Sequence, residues 1–191
     1  MNKAVLLTTI VSAALLSGCE TPFSIATAVE PIRPFIVKLE VSGGMLVNDK
    51  GPNSKCTAFA DPLKKGCFVA EKGEVLELQF QLKRHSDGAN WRLTKLQICA
   101  GDTKPTIANP CSLNEQQQSE WLVFADKKLA LVPADGTVDL TAFSQSLRML
   151  TVLDINGKAG NYTYNLQACK EGTLDEADCA WMDPGGTNTG R

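Results

Sequence analysis

Apolar residues recur at every second position along much of this chain. Glu74 to Lys83 shows the pattern most cleanly, with Leu76, Leu78, Phe80 and Leu82 on one face and Glu77, Gln79, Gln81 and Lys83 on the other. A period of two with one polar face is the mark of a half-buried strand in an antiparallel sheet. Phe35 to Val41 reads as an earlier strand ended by Ser42-Gly43-Gly44, and Met45-Leu46-Val47 as a short one before the turn-forming cluster Asn48 to Ser54. Further on, Trp91 and Leu93 share one parity while Leu96, Ile98 and Ala100 share the other, so a β-bulge near Thr94-Lys95 is expected to keep both sets inward. Arg148 to Ile155 is apolar on both parities, which predicts a central strand covered on both sides. After a turn from Asn156-Gly157 to Gly160, the residues Tyr162, Tyr164, Leu166 and Ala168 point inward again. Only Asn109 to Glu120 carries a helical signal, through Ser112-Leu113-Asn114-Glu115 as a capping box, and with no apolar stripe beside it a polar loop is an equal reading.

These elements predict an all-β fold, an antiparallel β-sandwich of roughly seven to nine strands. The lead-in Gly160-Asn161-Tyr162-Thr163-Tyr164 to a late strand resembles that of immunoglobulin-like sandwiches, a likeness of architecture that implies no function.

Cysteine usage adds staples and a compartment. The chain has seven cysteines. Setting Cys19 aside leaves an even set that falls into three sequence-local pairs: Cys56 with Cys67, Cys99 with Cys111, and Cys169 with Cys179. Close pairs of this kind in an exported chain read as disulfides. On the strand parities, Cys99 and Cys169 lie opposite the inward residues, which predicts staples outside the core at strand ends. A zinc site is the competing reading, but there is no Cys-x-x-Cys and the single histidine, His85, is remote from every cysteine in sequence.

At the N-terminus, Ala4 to Leu16 forms an apolar run behind Lys3, long enough for a signal peptide and too short to span a bilayer. It ends in Leu16-Ser17-Gly18-Cys19, which resembles the lipobox of bacterial lipoproteins. The resemblance implies cleavage before Cys19, lipid attachment to its thiol with palmitate among the acyl chains, and, because Glu20 follows where an aspartate would retain the protein at the inner membrane, an outer-membrane location facing the periplasm or the cell surface. The organisation expected is a signal peptide over 1–18, a Pro-, Thr- and Ala-rich tether over 19–33, and one β-sandwich domain over 34–191.

Charge then narrows the partners. Removal of Lys3 with the signal leaves 18 basic against 21 acidic residues, a mildly acidic balance with no basic run. Nucleic acid is therefore not an expected partner.

Candidate chemistry is sparse. His85-Ser86-Asp87 names a triad, yet adjacent residues in a Ser-Asp-Gly turn do not make triad geometry. Asp135 with Asp139, and Glu171 with Asp175, Glu176 and Asp178, could pair as carboxylates, with solvated loop charge as the simpler reading. Asp154-x-Asn156-Gly157-x-x-x-Asn161 offers oxygen ligands for calcium but lacks the closing acid of a calcium loop, so a hairpin turn is preferred. Trp91 and Trp121 each open an apolar strand and read as core. Trp181, in Cys179-Ala180-Trp181-Met182-Asp183, has fewer apolar neighbours and reads as a surface anchor. The binding site expected from the sequence is therefore Trp181 beside the acidic hairpin carrying Glu171 and Asp175. No catalytic residues, cofactor or metal are expected. The function expected is a non-catalytic binding or structural role toward an envelope protein or the cell wall, with a ligand- or carbohydrate-binding module or a hydrolase inhibitor as the alternative and an enzyme the least favoured.

Overall fold

A computed structural model describes residues 32–85, 89–104, 110–182 and 185–188. Two sheets face each other. The first runs β2 (Met45–Asn48), β1 (Ile32–Ser42), β4 (Val75–Leu82), β9 (Met149–Asp154), β6 (Trp121–Ala125), β7 (Lys128–Leu131). The second runs β3 (Phe68–Ala70), β12 (Gly185–Asn188), β10 (Gly160–Lys170), β5 (Trp91–Ala100), β8 (Thr137–Asp139), and β11 (Cys179–Met182) also pairs with β10. The helices α1 (Asp61–Lys64) and α2 (Glu115–Gln118) are single turns. The chain is all-β, a sandwich of two mixed sheets. They are not purely antiparallel: β1 runs parallel to β4, and β12 parallel to β3. Each parallel pair is joined by a long excursion, a connection that strand alternation alone does not reveal.

The inward faces follow the alternation. Leu76, Leu78, Phe80 and Leu82 of β4 are buried against Tyr162, Tyr164, Leu166 and Ala168 of the opposing sheet. A run of rings, Phe80, Tyr164, Phe68, Trp121 and Tyr162, crosses the core with centroids 5.2 to 6.4 Å apart. The bulge in β5 falls where the parity change demands it. Lys95 stands opposite Gln167 and Leu93 opposite Ala168, which leaves Thr94 as the extra residue. Leu93, Leu96 and Ile98 thereby all enter the core.

All three sequence-local disulfides are present, Cys56–Cys67, Cys99–Cys111 and Cys169–Cys179. Cys99 and Cys169 project from the outer face as parity requires, yet both are buried, each beside its bonded partner.

Other expectations need correction. Strand β9 is central in its sheet but covered on one side only: Leu150 and Val152 are buried while Met149 is 65% exposed, because no layer lies over the outer face. Ala100 is exposed at the end of β5. Strand β1 begins at Ile32, so Ile32 and Arg33 belong to the sheet and not to a tether. The helical segment shrinks to α2, and its capping box is made by Asn114 and Gln117, two residues beyond the Ser112–Glu115 pair, since Asn114 accepts from the Gln117 amide and the Gln117 side chain accepts in return.

Candidate functional site

Short edge strands create a recess between the two sheets. Strand β2 ends the first sheet and β11 flanks the second, and they run side by side without pairing. The cleft between them has a volume of about 680 Å³ and is lined by Met45, Leu46, Val47, Asn48, Pro52, Asp61, Lys65, Trp181 and Met182. Its floor follows from parity. Leu46 stands opposite Val41 and Met182 opposite Leu166, all inward, and the Asn48 side-chain amide donates to the Met182 Sδ at 3.4 Å.

The wall is the segment between β2 and β3. Cys56–Cys67 closes it, Pro52 bridges Lys65, and the Asn53 amide donates to the Lys64 carbonyl at 3.2 Å. A second small core of Cys56, Phe59 and Cys67, with Leu63 and Val69 against it, keeps this segment compact. Gly66 turns with φ +75° directly over the Asn48 side chain, where a Cβ would stand 3.0 Å from its Nδ2. The Tyr164 hydroxyl then donates to the Gly66 carbonyl at 2.6 Å, tying the wall to β10. Burial raises the Tyr164 phenol far above its ordinary value, so it stays a donor.

Trp181 sits on β11 opposite Gln167, between buried Ala180 and Met182, and is itself half-buried. The indole therefore belongs to a regular edge strand and presents one side to the cleft. Glu171 and Asp175 do not line that cleft. Both are exposed on the hairpin between β10 and β11, where Asp175 accepts from the Ala177 amide at 3.1 Å as a helix cap. The residues that accompany Trp181 are instead Met45, Val47, Asp61 and Lys65 from across the sandwich.

The other candidates resolve into local structure. Asp135 and Asp139 cap turns through the amides of Thr137 and Thr141. Asp154 accepts from the Asn156 amide at 2.9 Å, and Asn156 adopts φ +49°, as a hairpin turn requires. Ser86 and Asp87 lie outside the described residues. Trp91 and Trp121 are buried core. Among the described residues no cluster of three or more His, Cys, Asp or Glu side chains could hold a metal ion, and no helix is long and apolar enough to cross a membrane.

A second constellation escapes a reading of sequence neighbours. Glu120 and Asp154, both buried in the sandwich, share one donor: the Asn188 side-chain amide reaches Asp154 Oδ1 at 3.0 Å and Glu120 Oε2 at 3.4 Å. The Tyr162 hydroxyl adds a bond to Glu120 Oε2 at 3.2 Å. Burial pushes the Asp154 carboxyl up to about 7, and the Glu120 charge adds to the rise against the bonds from Asn156 and Asn188. Burial likewise raises Glu120, opposed by Tyr162, Asn188 and Lys158.

Exposed apolar side chains are also unevenly placed. Of the eight large hydrophobic residues exposed among those described, Ile32, Ile36, Met45, Val47, Leu129, Leu131 and Met149 all lie on the outer face of the first sheet.

No family model and no curated protein sequence matches the chain. Among solved structures it is similar to the McoA multicopper oxidase from the hyperthermophile Aquifex aeolicus, at 10% identity over 85% of this chain and 30% of that chain with a TM-score of 0.28. Another multicopper oxidase matches at 7% identity over 79% of this chain and 43% of that one, with a TM-score of 0.31. Reduced rusticyanin matches at 10% identity over 80% of this chain and 79% of that one, with a TM-score of 0.29. The chain spans less than half the length of either oxidase. Likeness at this level carries no argument about chemistry.

Proposed function

We propose that this protein is a lipid-anchored binding module of the bacterial outer membrane, non-catalytic, held by Cys19 and engaging an envelope protein through the cleft between β2 and β11. The observation that carries the reading is Trp181: a half-buried indole on a disulfide-fixed edge strand, facing a recess walled by methionine, valine and proline with Asp61 and Lys65 among its lining residues. An apolar recess with an aromatic anchor and a few polar lining groups suits a side chain of a protein partner. The lining is less suited to a sugar, whose hydroxyls need a denser set of donors and acceptors. On the finer fold assignment, the lead-in to Tyr162 and Tyr164 supports an immunoglobulin-like sandwich modified by two parallel strand pairings.

The test has two arms. Cys19→Ser should abolish palmitate labelling and outer-membrane recovery. A photo-crosslinking residue at Lys65 should capture an envelope protein in intact cells, and Trp181→Ala should remove that capture. A crosslinker at Leu174, exposed and outside the cleft, should not capture it. Equal capture from positions 65 and 174 overturns the cleft as the binding site.

A further inference from the structure

Below the strand that carries Asn188, two carboxylates are buried together with one oxygen of each left without a donor. Glu120 is 2% exposed and Asp154 0%. Each takes one bond from the same Asn188 amide, Glu120 a second from the Tyr162 hydroxyl and Asp154 a second from the Asn156 amide, while Glu120 Oε1, Asp154 Oδ2 and Asn188 Oδ1 have no hydrogen-bond partner among the described residues. Unmatched buried acceptors are costly, and two adjacent anions more so. A proton on one of the two relieves the repulsion and turns an unmatched acceptor into a donor, since a protonated carboxyl donates where an anion only accepts.

Asn188 stands on β12, which has a particular place in the second sheet. Strand β3 reaches the rest of that sheet through β12, with Asn188 opposite Ala70 and Gly186 opposite Phe68. Cys67 immediately precedes β3 and closes the segment that supplies Pro52, Asp61 and Lys65 to the cleft. Taking the cleft as the binding site, as argued above, we propose that Glu120, Asp154 and Asn188 form a proton-dependent latch that holds β12 and, through β3, sets the firmness of the cleft wall. The Tyr164 bond to Gly66 lies outside the latch. When the latch opens the wall loosens and does not come away.

The groups that face the latch fix the sign. From β10 comes Tyr162, whose phenol is raised by burial and by both carboxylates and so stays protonated. From the turn after β9 comes Lys158, which favours the charged form of Glu120. Strands β4 and β6 offer only Leu76 and Trp121 opposite Asp154. Glu71 contributes its carbonyl to the Asn156 side chain, and its carboxylate pairs with Lys55, while Glu74 pairs with Arg33. Both latch carboxyls therefore hold their protons to higher pH when buried than when freed. Closure is favoured in acid and lost as pH rises through about 7, the value to which Asp154 is pushed.

Amide hydrogen exchange on the mature protein from pH 5.5 to 8.5, corrected for intrinsic rates, tests this directly. Protection of β12 and β3 should fall by up to about tenfold per pH unit from pH 5.5 to about 7, where the closed form holds one proton more than the open one, and level off above that, and the 52–67 segment should follow with a smaller loss. The double variant Glu120→Gln, Asp154→Asn should keep protection flat across that range. A fall of the same size in the double variant, or no fall in the natural protein, overturns the latch. A fall confined to β12, with 52–67 unchanged, overturns its link to the cleft. Asn188→Ala, which removes the shared donor and leaves the carboxylates, should lower β12 protection even at pH 5.5, and unchanged protection there also overturns the proposal. None of these readouts depends on a bound partner, so failure of the binding reading would appear in the crosslinking experiment and leave them untouched.

Discussion

Cys169 and Cys179 face each other directly across the β10–β11 ladder, their Cα atoms 4.0 Å apart, two residues ahead of Trp181. That cross-strand bond fixes the register in which the indole meets the cleft. A side chain held before its partner arrives gives up less conformational freedom on binding, so the position of the staple bears on affinity as well as stability.

Trp181→Ala is expected to weaken partner binding by more than about 1 kcal/mol and to cost the fold less than that, because the indole is only half-buried on an edge strand. Trp121→Ala provides the contrast. Its ring is buried among Phe68 and Tyr162, and its removal should cost about 3 to 5 kcal/mol in chemical denaturation. Similar losses of stability in the two variants would place Trp181 in the core.

Replacing both Cys169 and Cys179 by serine should lower stability by about 2 to 3 kcal/mol on the chain-entropy account of a closed loop of this length. The β11 amides should exchange faster than those of β5, and binding should weaken with Trp181 still present. Unchanged binding after loss of the bond would mean that the ladder alone positions the indole.

What the sequence reveals here tracks what is local. Strand β4 is legible because its outer face meets water, so Glu77, Gln79 and Gln81 mark every second position. The bulge at Thr94 is legible because two parity sets of apolar residues must share one core. Disulfide partners are legible because each pair closes a short loop. Strand β12 is not: Gly185-Gly186-Thr187-Asn188 has no apolar period and holds its place by fitting beneath the Phe68 ring. Asp154 does stand out, as the inward successor of Leu150 and Val152, but the residues that explain it, Glu120 and Asn188, are 34 positions away in each direction. The cleft is equally non-local, since β2 and β11 meet only when two sheets stack.

Gly186 gives a sharp test of how β12 is seated. A Cβ at this position would collide with the Phe68 ring, which is itself packed on Trp121 and Tyr164 and has no room to retreat. Gly186→Ala should therefore cost about 1 to 3 kcal/mol, as overpacking of a filled core does. Gly186→Ala combined with Phe68→Leu should recover part of that loss by making room. If the double variant is less stable than the sum of the two single changes predicts, the clash is not the cause.

Global stability should depend on pH in a direction opposite to that of an ordinary salt-bridged acid. Asp154 has a model-peptide value of 3.8 and is pushed up to about 7 in the folded protein. The folded state therefore binds more protons than the unfolded state between those values, and the contribution of this group is fully present below pH 4 and lost as pH rises through 7. Between pH 5 and pH 8 the loss should amount to about 2 to 3 kcal/mol. Asp154→Asn keeps the shape and removes the titration, so urea denaturation at the two pH values should show a smaller difference for the variant than for the natural protein, with the variant the more stable of the two at pH 8. Should the natural protein instead gain stability relative to Asp154→Asn as pH rises, Asp154 would be a charged, well-paired carboxylate, and the burial of two acids beside Asn188 would have to be relieved by a bound cation.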